Sequence, residues 1–241
     1  MLEEILFYIV ILFSNIMQGI TGFAGTILAM PLSLRLVGYQ TAVPVLNVLG
    51  IISGIYVFMG NYKQVDWKEL RKIVLIMGAM IVLGIGLRRM FEGEGRLLYL
   101  LLGVIVILIA CNGFYQMFRG KDTRPRKGLE ILLVAAGIVH GMFVCGGPLL
   151  IGYLSQKIED KVRFRATIST IWIFLNSFLL GSQIYEGMWN EKLLWVQIGA
   201  VPFLLLGMFL GGCLYRRMSQ KVFMMITYIL LFLSGISLFI K

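Results

Sequence analysis

The sequence predicts an all-α membrane protein: a polytopic helix bundle built from two inverted repeats. Three observations lead to this prediction. Of 241 residues, 59% are hydrophobic and only 14% are charged, whereas soluble domains average roughly 45–50% apolar and about 25% charged residues. Long apolar stretches recur along the whole chain, and a glycine-rich segment occurs twice. A water-soluble fold could not cover so much apolar surface.

Six apolar stretches are long enough to be transmembrane spans. At about 1.5 Å per residue, roughly 20 residues of helix cross a hydrocarbon core of about 30 Å. Two further stretches, 5–34 and 129–156, are longer and contain glycine and proline, which predicts broken or re-entrant helix hairpins. Pro31 and Pro148 are expected to add breaks to them. The predicted spans cover residues 40–60, 73–91, 97–118, 163–185, 193–215 and 222–240.

An internal repeat relates the two halves of the chain. Residues 18–25 align with residues 140–147 without a gap, and this alignment places Gly19 on Gly141 and Gly25 on Gly147. In each half, three apolar spans follow the broken segment. The first repeat is therefore predicted to cover residues 1–118 and the second residues 129–241, with residues 119–128 as a charged linker between them.

The distribution of lysine and arginine predicts the orientation, because cytoplasmic loops carry an excess of these residues. If both broken segments cross the membrane, the 22 basic residues divide equally. If the second segment turns back, 16 of the 22 lie on one face, in or beside the loops 63–72, 119–127, 157–165 and 216–221. The count does not decide whether the first segment turns back, and there we rely on the repeat. We therefore expect inverted halves, a cytoplasmic linker and both termini outside.

Inverted repeats that contain interrupted membrane segments are typical of secondary transporters, whose substrate site lies near the bilayer midplane. Irregular backbone at that depth requires surrounding protein or a wet cavity. The segments Gly19–Pro31 (GITGFAGTILAMP) and Gly141–Leu150 (GMFVCGGPLL) resemble the paired glycine-rich motifs of the sulfite exporter TauE/SafE family. The resemblance extends over the whole chain. It implies a transporter of small sulfur-containing anions, with sulfite or an organosulfonate expected first.

The two glycine-rich turns are the candidate site, because helix N-termini there favour an anion without a cationic side chain. Lysine and arginine lie in loops and at span ends, so we expect neutral donors and helix ends to hold the anion. Close helix packing is the alternative role for the glycines. Interhelical hydrogen bonding is the alternative for Gln18 and Thr21, and a structural hydrogen bond is the alternative for His140. The predicted substrate-binding residues are Gln18, Gly19, Thr21, Gly22, Gly25, Asn47, His140, Gly141, Cys145, Gly146, Gly147, Pro148, Thr170 and Asn176.

Other function classes find little support. The sequence lacks the H-E-x-x-H and P-loop patterns, so we predict no catalytic residues, no metal site and no cofactor. Basic residues are spread among the loops, which argues against nucleic acid as a partner. The expected partners are a small anion and the lipid bilayer of the inner membrane, and a homodimer is compatible with the sequence. The alternative functions are a membrane scaffold, whose glycines only pack helices, and an intramembrane lipid-modifying enzyme.

Overall fold

A computed structural model of the chain describes residues 2–88, 95–119, 128–143 and 146–237. All regular structure in these ranges is helical, which confirms the all-α membrane bundle. A short 3₁₀ turn, Tyr62–Gln64, follows the third of the ten α-helices found in these ranges. The helices are α1 Leu2–Thr21, α2 Ala24–Val37, α3 Tyr39–Asn61, α4 Trp67–Arg88, α5 Gly95–Arg119, α6 Glu130–Phe143, α7 Gly147–Lys157, α8 Lys161–Tyr185, α9 Glu191–Arg217 and α10 Gln220–Ser237.

The helices form two compact units, each of which combines elements from both halves of the chain. Unit 1 comprises Met1–Leu70 and Asp160–Ser219, and so contains α1, α2, α3, α8 and α9. Unit 2 comprises Arg71–Glu159 and Gln220–Lys241, and contains most of α4 together with α5, α6, α7 and α10. The division into repeats at the linker 119–128 therefore stays a prediction, and the linker lies mostly outside the described residues.

Five helical stretches of the described chain are long and apolar enough to cross a membrane. They lie in α1, α3, α4, α8 and α9. Large apolar side chains on these helices are solvent-exposed in the isolated chain, among them Phe13, Leu75 and Phe209. Such outward apolar surface is what a helix in lipid presents. The 19-residue stretch of α1 has the length of a span on its own, whereas α2, α6 and α7 have 14, 14 and 11 residues.

Both predicted breaks occur at the glycine-rich segments. α1 ends at Thr21, and Gly22 then adopts φ +83°, a left-handed conformation that favours glycine. α6 ends at Phe143, and α7 starts at Gly147. Since α1 packs on α2 and α6 packs on α7, each segment is a helical hairpin.

Neither proline ends a helix, and the expected break in helical hydrogen bonding was wrong for Pro148. α2 continues through Pro31, and Pro148 lies in the first turn of α7. There the missing N–H of proline costs nothing, because the first N–H groups of a helix have no intrahelical acceptor.

Glycine pairs bring helices into backbone contact in each unit. In unit 1, a Cβ on Gly211 of α9 would overlap the carbonyl oxygen of Ile16 and crowd the Cα of Gly19 in α1. In unit 2, a Cβ on Gly84 of α4 would overlap the carbonyl oxygen of Ile138 and crowd the Cα of Gly141 in α6. Neither contact leaves room for a methyl group, so small residues set the helix separation.

Candidate functional site

The first turn is closed by two side chains of α1. The Thr21 hydroxyl donates to the Met17 carbonyl at 2.8 Å and accepts from the Ala24 N–H at 3.2 Å. Gln18 Oε1 accepts from the Gly25 N–H at 2.8 Å, and its Nε2 donates to Ser53 of α3 at 3.0 Å. The N–H groups of Ala24 and Gly25 at the start of α2 therefore already have acceptors, as helix N-termini require.

In the second turn, His140 occupies the position that aligns with Gln18, and it also accepts a hydrogen bond from a backbone N–H. His140 Nδ1 accepts from the Gly146 N–H at 3.4 Å. The acceptor role assigns the ring proton to Nε2 in the neutral imidazole. A Cβ on Gly146 would overlap the Ala136 carbonyl oxygen, so the turn lies directly on α6. Gln18 and His140 each bind a backbone N–H at the start of the following helix.

This shared role predicts that glutamine can replace histidine in the second turn. We expect His140→Gln to keep near wild-type thermal stability, because its Oε1 can accept from Gly146 as Gln18 accepts from Gly25. We expect His140→Ala to lose roughly 1–3 kcal/mol, since it leaves a buried N–H without an acceptor. Melting of the two purified variants in detergent measures this. Equal loss in both would show that the ring itself, rather than its acceptor, stabilises the turn.

A buried arginine lies beside the first turn. Arg165, in the second turn of α8, is 6% exposed. Its Nε donates to the Gly19 carbonyl oxygen at 2.9 Å, and its guanidinium carbon lies 4.4 Å from the Tyr215 ring centroid. One of its five donors therefore caps the C-terminal turn of α1. A buried cation therefore lies next to this turn, although the sequence places the basic residues in loops and at span ends.

No carboxylate of the described residues pairs with Arg165. Two residues earlier, Arg163 forms an ion pair with Asp66 at 2.9 Å. The ionisable groups that interact with Arg165 are Tyr215, Tyr56 and a second arginine, Arg216. A buried charge without a counter-ion is costly, and burying it is normally offset by pairing. The four N–H donors on its two Nη atoms have no hydrogen-bond partner within the described chain.

The remaining predicted residues of unit 1 lie where α3 packs against α8. Asn47 Nδ2 donates to the Asn176 carbonyl oxygen and to Gln183 Oε1, both at 3.1 Å. Asn176 packs over Gly50. The Thr170 hydroxyl donates to the carbonyl oxygen of Ala166 in its own helix at 2.7 Å.

The structure divides the predicted site residues between the two units. Unit 1 holds Gln18, Gly19, Thr21, Gly22, Gly25, Asn47, Thr170 and Asn176, whereas unit 2 holds His140, Gly141, Gly146, Gly147 and Pro148. Cys145 lies outside the described residues.

Sequence reasoning missed Arg165, Ser53 and Gln183. Ser169 was expected to offer a polar group that could face the hairpins, and it donates to the Gly22 carbonyl oxygen at 3.3 Å. A helical spacing of polar residues along α8, at 165, 169, 176 and 183, was the signal that could have found Arg165 and Gln183.

Comparison with known proteins decides the family. The family model described as "Sulfite exporter TauE/SafE" matches residues 7–238. The chain belongs to this family. A curated relative, the probable inner membrane transporter protein TsaS of Comamonas testosteroni, is 23% identical over 181 residues, which cover 74% of each chain. No solved structure matches the chain.

Membership of the TauE/SafE family assigns the general function. The chain is a multi-pass membrane transporter, and the prediction that it is not an enzyme is confirmed. Within this TauE/SafE protein, the first hairpin turn and Arg165 form the group of residues that we call the turn site: Gln18, Gly19, Gly22, Arg165 and Ser169.

Proposed function

We propose that this protein is a secondary transporter of a small anion, sulfite or an organosulfonate, that works by alternating access around the turn site. The family model is described by sulfite export, and the relative TsaS is described as a transporter. The family description supports the substrate class, and the relative supports transport. The scaffold alternative accounts for the Nε bond of Arg165 to Gly19 but not for a buried cation without a counter-ion in the described chain.

The single observation that carries the proposal is Arg165. Taking a guanidinium out of water costs several kcal/mol unless an anion and hydrogen bonds compensate. Its Nε bond to Gly19 and the Tyr215 ring compensate in part. No carboxylate of the described chain completes the compensation. A transported anion is the missing counter-ion, and the planar fork of arginine suits the oxygens of sulfite or a sulfonate.

The turn supplies the neutral part of the site. Gly22 has no side chain to fill the space beside α8, where a Cβ would lie 2.6 Å from Ser169 Oγ. The Ser169 hydroxyl and the Gln18 amide both donate to the Gly22 carbonyl, each at 3.3 Å. An anion at Arg165 competes with that carbonyl for these two donors. Binding therefore loosens the turn, which couples the anion to movement of the hairpin.

We also propose that the two sequence halves are structural repeats of inverted orientation. The alignment that places residue 19 on residue 141 also places Ile16 on Ile138. These are the residues that contact Gly211 in unit 1 and Gly84 in unit 2. Equivalent contacts at equivalent positions support an internal repeat. Whether both turns contribute to one central site stays a prediction from the sequence.

The orientation is tested by labelling single cysteines. With the second hairpin turning back, residues 121 and 161 share the cytoplasmic face, so both cysteines should react with a membrane-impermeant maleimide only after the cell membrane is opened. An otherwise cysteine-free protein is needed, because Cys111 and Cys213 are exposed. Labelling from opposite faces would rule out the second hairpin as a turn-back element.

The substrate class is tested by flux. Purified protein in liposomes should accumulate sulfite or a small sulfonate at a rate well above that of empty liposomes. Sulfate and acetate, offered at the same concentration, measure selectivity. Absence of flux for every anion, under gradients of either sign, would favour the scaffold alternative.

A further inference from the structure

The interface of α3 and α8 in unit 1 contains polar contacts around Asn47. Asn47 meets Gln183, whereas Gly54, two turns later on α3, meets Ile173. The two helices are therefore antiparallel. Buried polar residues of α8 follow one face from Arg165 through Ser169 and Asn176 to Gln183. Eighteen residues separate the ends of this row, which corresponds to about 27 Å of helix, close to a bilayer core.

An amide cluster, defined as Asn47, Asn176 and Gln183, lies at the far end of this row from Arg165. The orientation of the Asn47 amide is fixed by its partners. Its Nδ2 faces a backbone carbonyl oxygen and Gln183 Oε1, and a carbonyl oxygen can only accept. Exchanging the two ends of the amide would bring oxygen against oxygen.

Several hydrogen-bonding atoms of the amide cluster have no partner in the described chain. Asn47 is 3% exposed, and its Oδ1 has no partner among the described residues. The side-chain amide of Asn176 and the Nε2 of Gln183 have no hydrogen bond within the described chain either, although these residues are only 7% and 6% exposed. Buried polar atoms are normally satisfied, so the buried Asn47 Oδ1, next to amide donors that have no partner in the described chain, indicates a missing ligand.

We propose that the amide cluster is a second, uncharged binding station for the transported anion, separate from the turn site. This inference rests on the proposed function. Donors of Asn176 and Gln183 bind oxygens of the anion, and a water that the anion retains donates to Asn47 Oδ1. Asn176 lies 11 residues beyond Arg165, which corresponds to about 16 Å along α8. An anion at the station is therefore too far from Arg165 to bind both at once. Without a cation, the station holds the anion weakly enough to release it.

The test measures initial rates of sulfite uptake into liposomes for Asn176→Ala, Gln183→Leu and the matched control Asn15→Ala. Asn15 is buried in the same unit, but its amide bonds the Ile11 carbonyl of its own helix at 2.8 Å. Each station variant should lower the rate about tenfold or more, because it removes a donor to a charged group. The control should stay within about threefold, because its amide makes a single neutral hydrogen bond inside its own helix.

Equilibrium binding separates the station from the turn site. Sulfite binding to the detergent-purified station variants should persist, since Arg165 is intact. Gln183→Leu keeps the test decisive if Asn176→Ala fails to insert. Rates equal to that of Asn15→Ala in both station variants would overturn the station while leaving the proposed function standing. A wild-type protein that transports no anion would instead overturn the proposed function.

Discussion

Replacing Arg165 with glutamine should reduce anion flux by at least about 100-fold, because hydrogen bonds to a charged group contribute roughly 1.5–3 kcal/mol each and at least two would be lost. Arg165→Lys should recover only part of the flux. Lysine keeps the charge, but it lacks the planar fork and the Nε bond to Gly19. Initial rates in liposomes, normalised to the amount of inserted protein, give the comparison.

The matched control for this prediction is Arg163, two residues earlier on α8. Its side chain is 54% exposed and pairs with Asp66 at 2.9 Å. Exposed ion pairs contribute about 0–1 kcal/mol, so Arg163→Gln should keep its flux within roughly threefold of wild type. Equal losses in both variants would mean that α8 needs basic residues for insertion rather than for the substrate.

The second large effect is expected where α1 and α9 touch through glycine. We expect Gly211→Ala to destabilise the protein by about 1–3 kcal/mol or more, because its Cβ overlaps the Ile16 carbonyl oxygen and the backbone must move. Gly212, the next residue, has no heavy atom within 4 Å of its Cβ position. Gly212→Ala should therefore be neutral or gain up to about 1 kcal/mol from helix propensity. Thermal unfolding in detergent measures both.

The same test can be made in unit 2, where α4 and α6 also touch through glycine. A Cβ on Gly84 overlaps the Ile138 carbonyl oxygen, whereas Gly86 on the same helix has open space. The same contrast between Gly84→Ala and Gly86→Ala is expected. Similar stabilities for the two members of either pair would show that the helices separate easily, and that glycine does not set their distance.

Helix positions could be predicted because they depend on local properties of the sequence. The apolar stretch 163–185 became Lys161–Tyr185, and the stretch 193–215 became Glu191–Arg217. The extra residues at their starts follow Asp160 and Asn190, whose side chains accept from helical N–H groups. Pro31 is the eighth residue of α2, so its missing N–H removes one intrahelical hydrogen bond, but the helix continues through it.

The site could be predicted in part, because the glycine turns are visible in the sequence whereas their neighbours are not. Gln18 and Thr21 were proposed as donors to a ligand, yet both accept from the backbone of their own turn. Arg165 counts as a loop residue when only its distance from a span end is considered. Its burial depends on which face of α8 meets α1 and α3, and that is a tertiary property. No local pattern determines that contact.

The central claim, that a buried arginine holds the transported anion, is tested most directly by equilibrium binding. Sulfite should be titrated into purified wild-type protein and into Arg165→Gln at fixed pH and salt, with heat or intrinsic tryptophan fluorescence as the signal. We predict saturable binding of sulfite by the wild type. The affinity of the variant should be at least about 100-fold weaker, because two hydrogen bonds to a charged group are lost. Equal affinities in the two proteins, or saturable binding of a cation in place of the anion, would contradict the account.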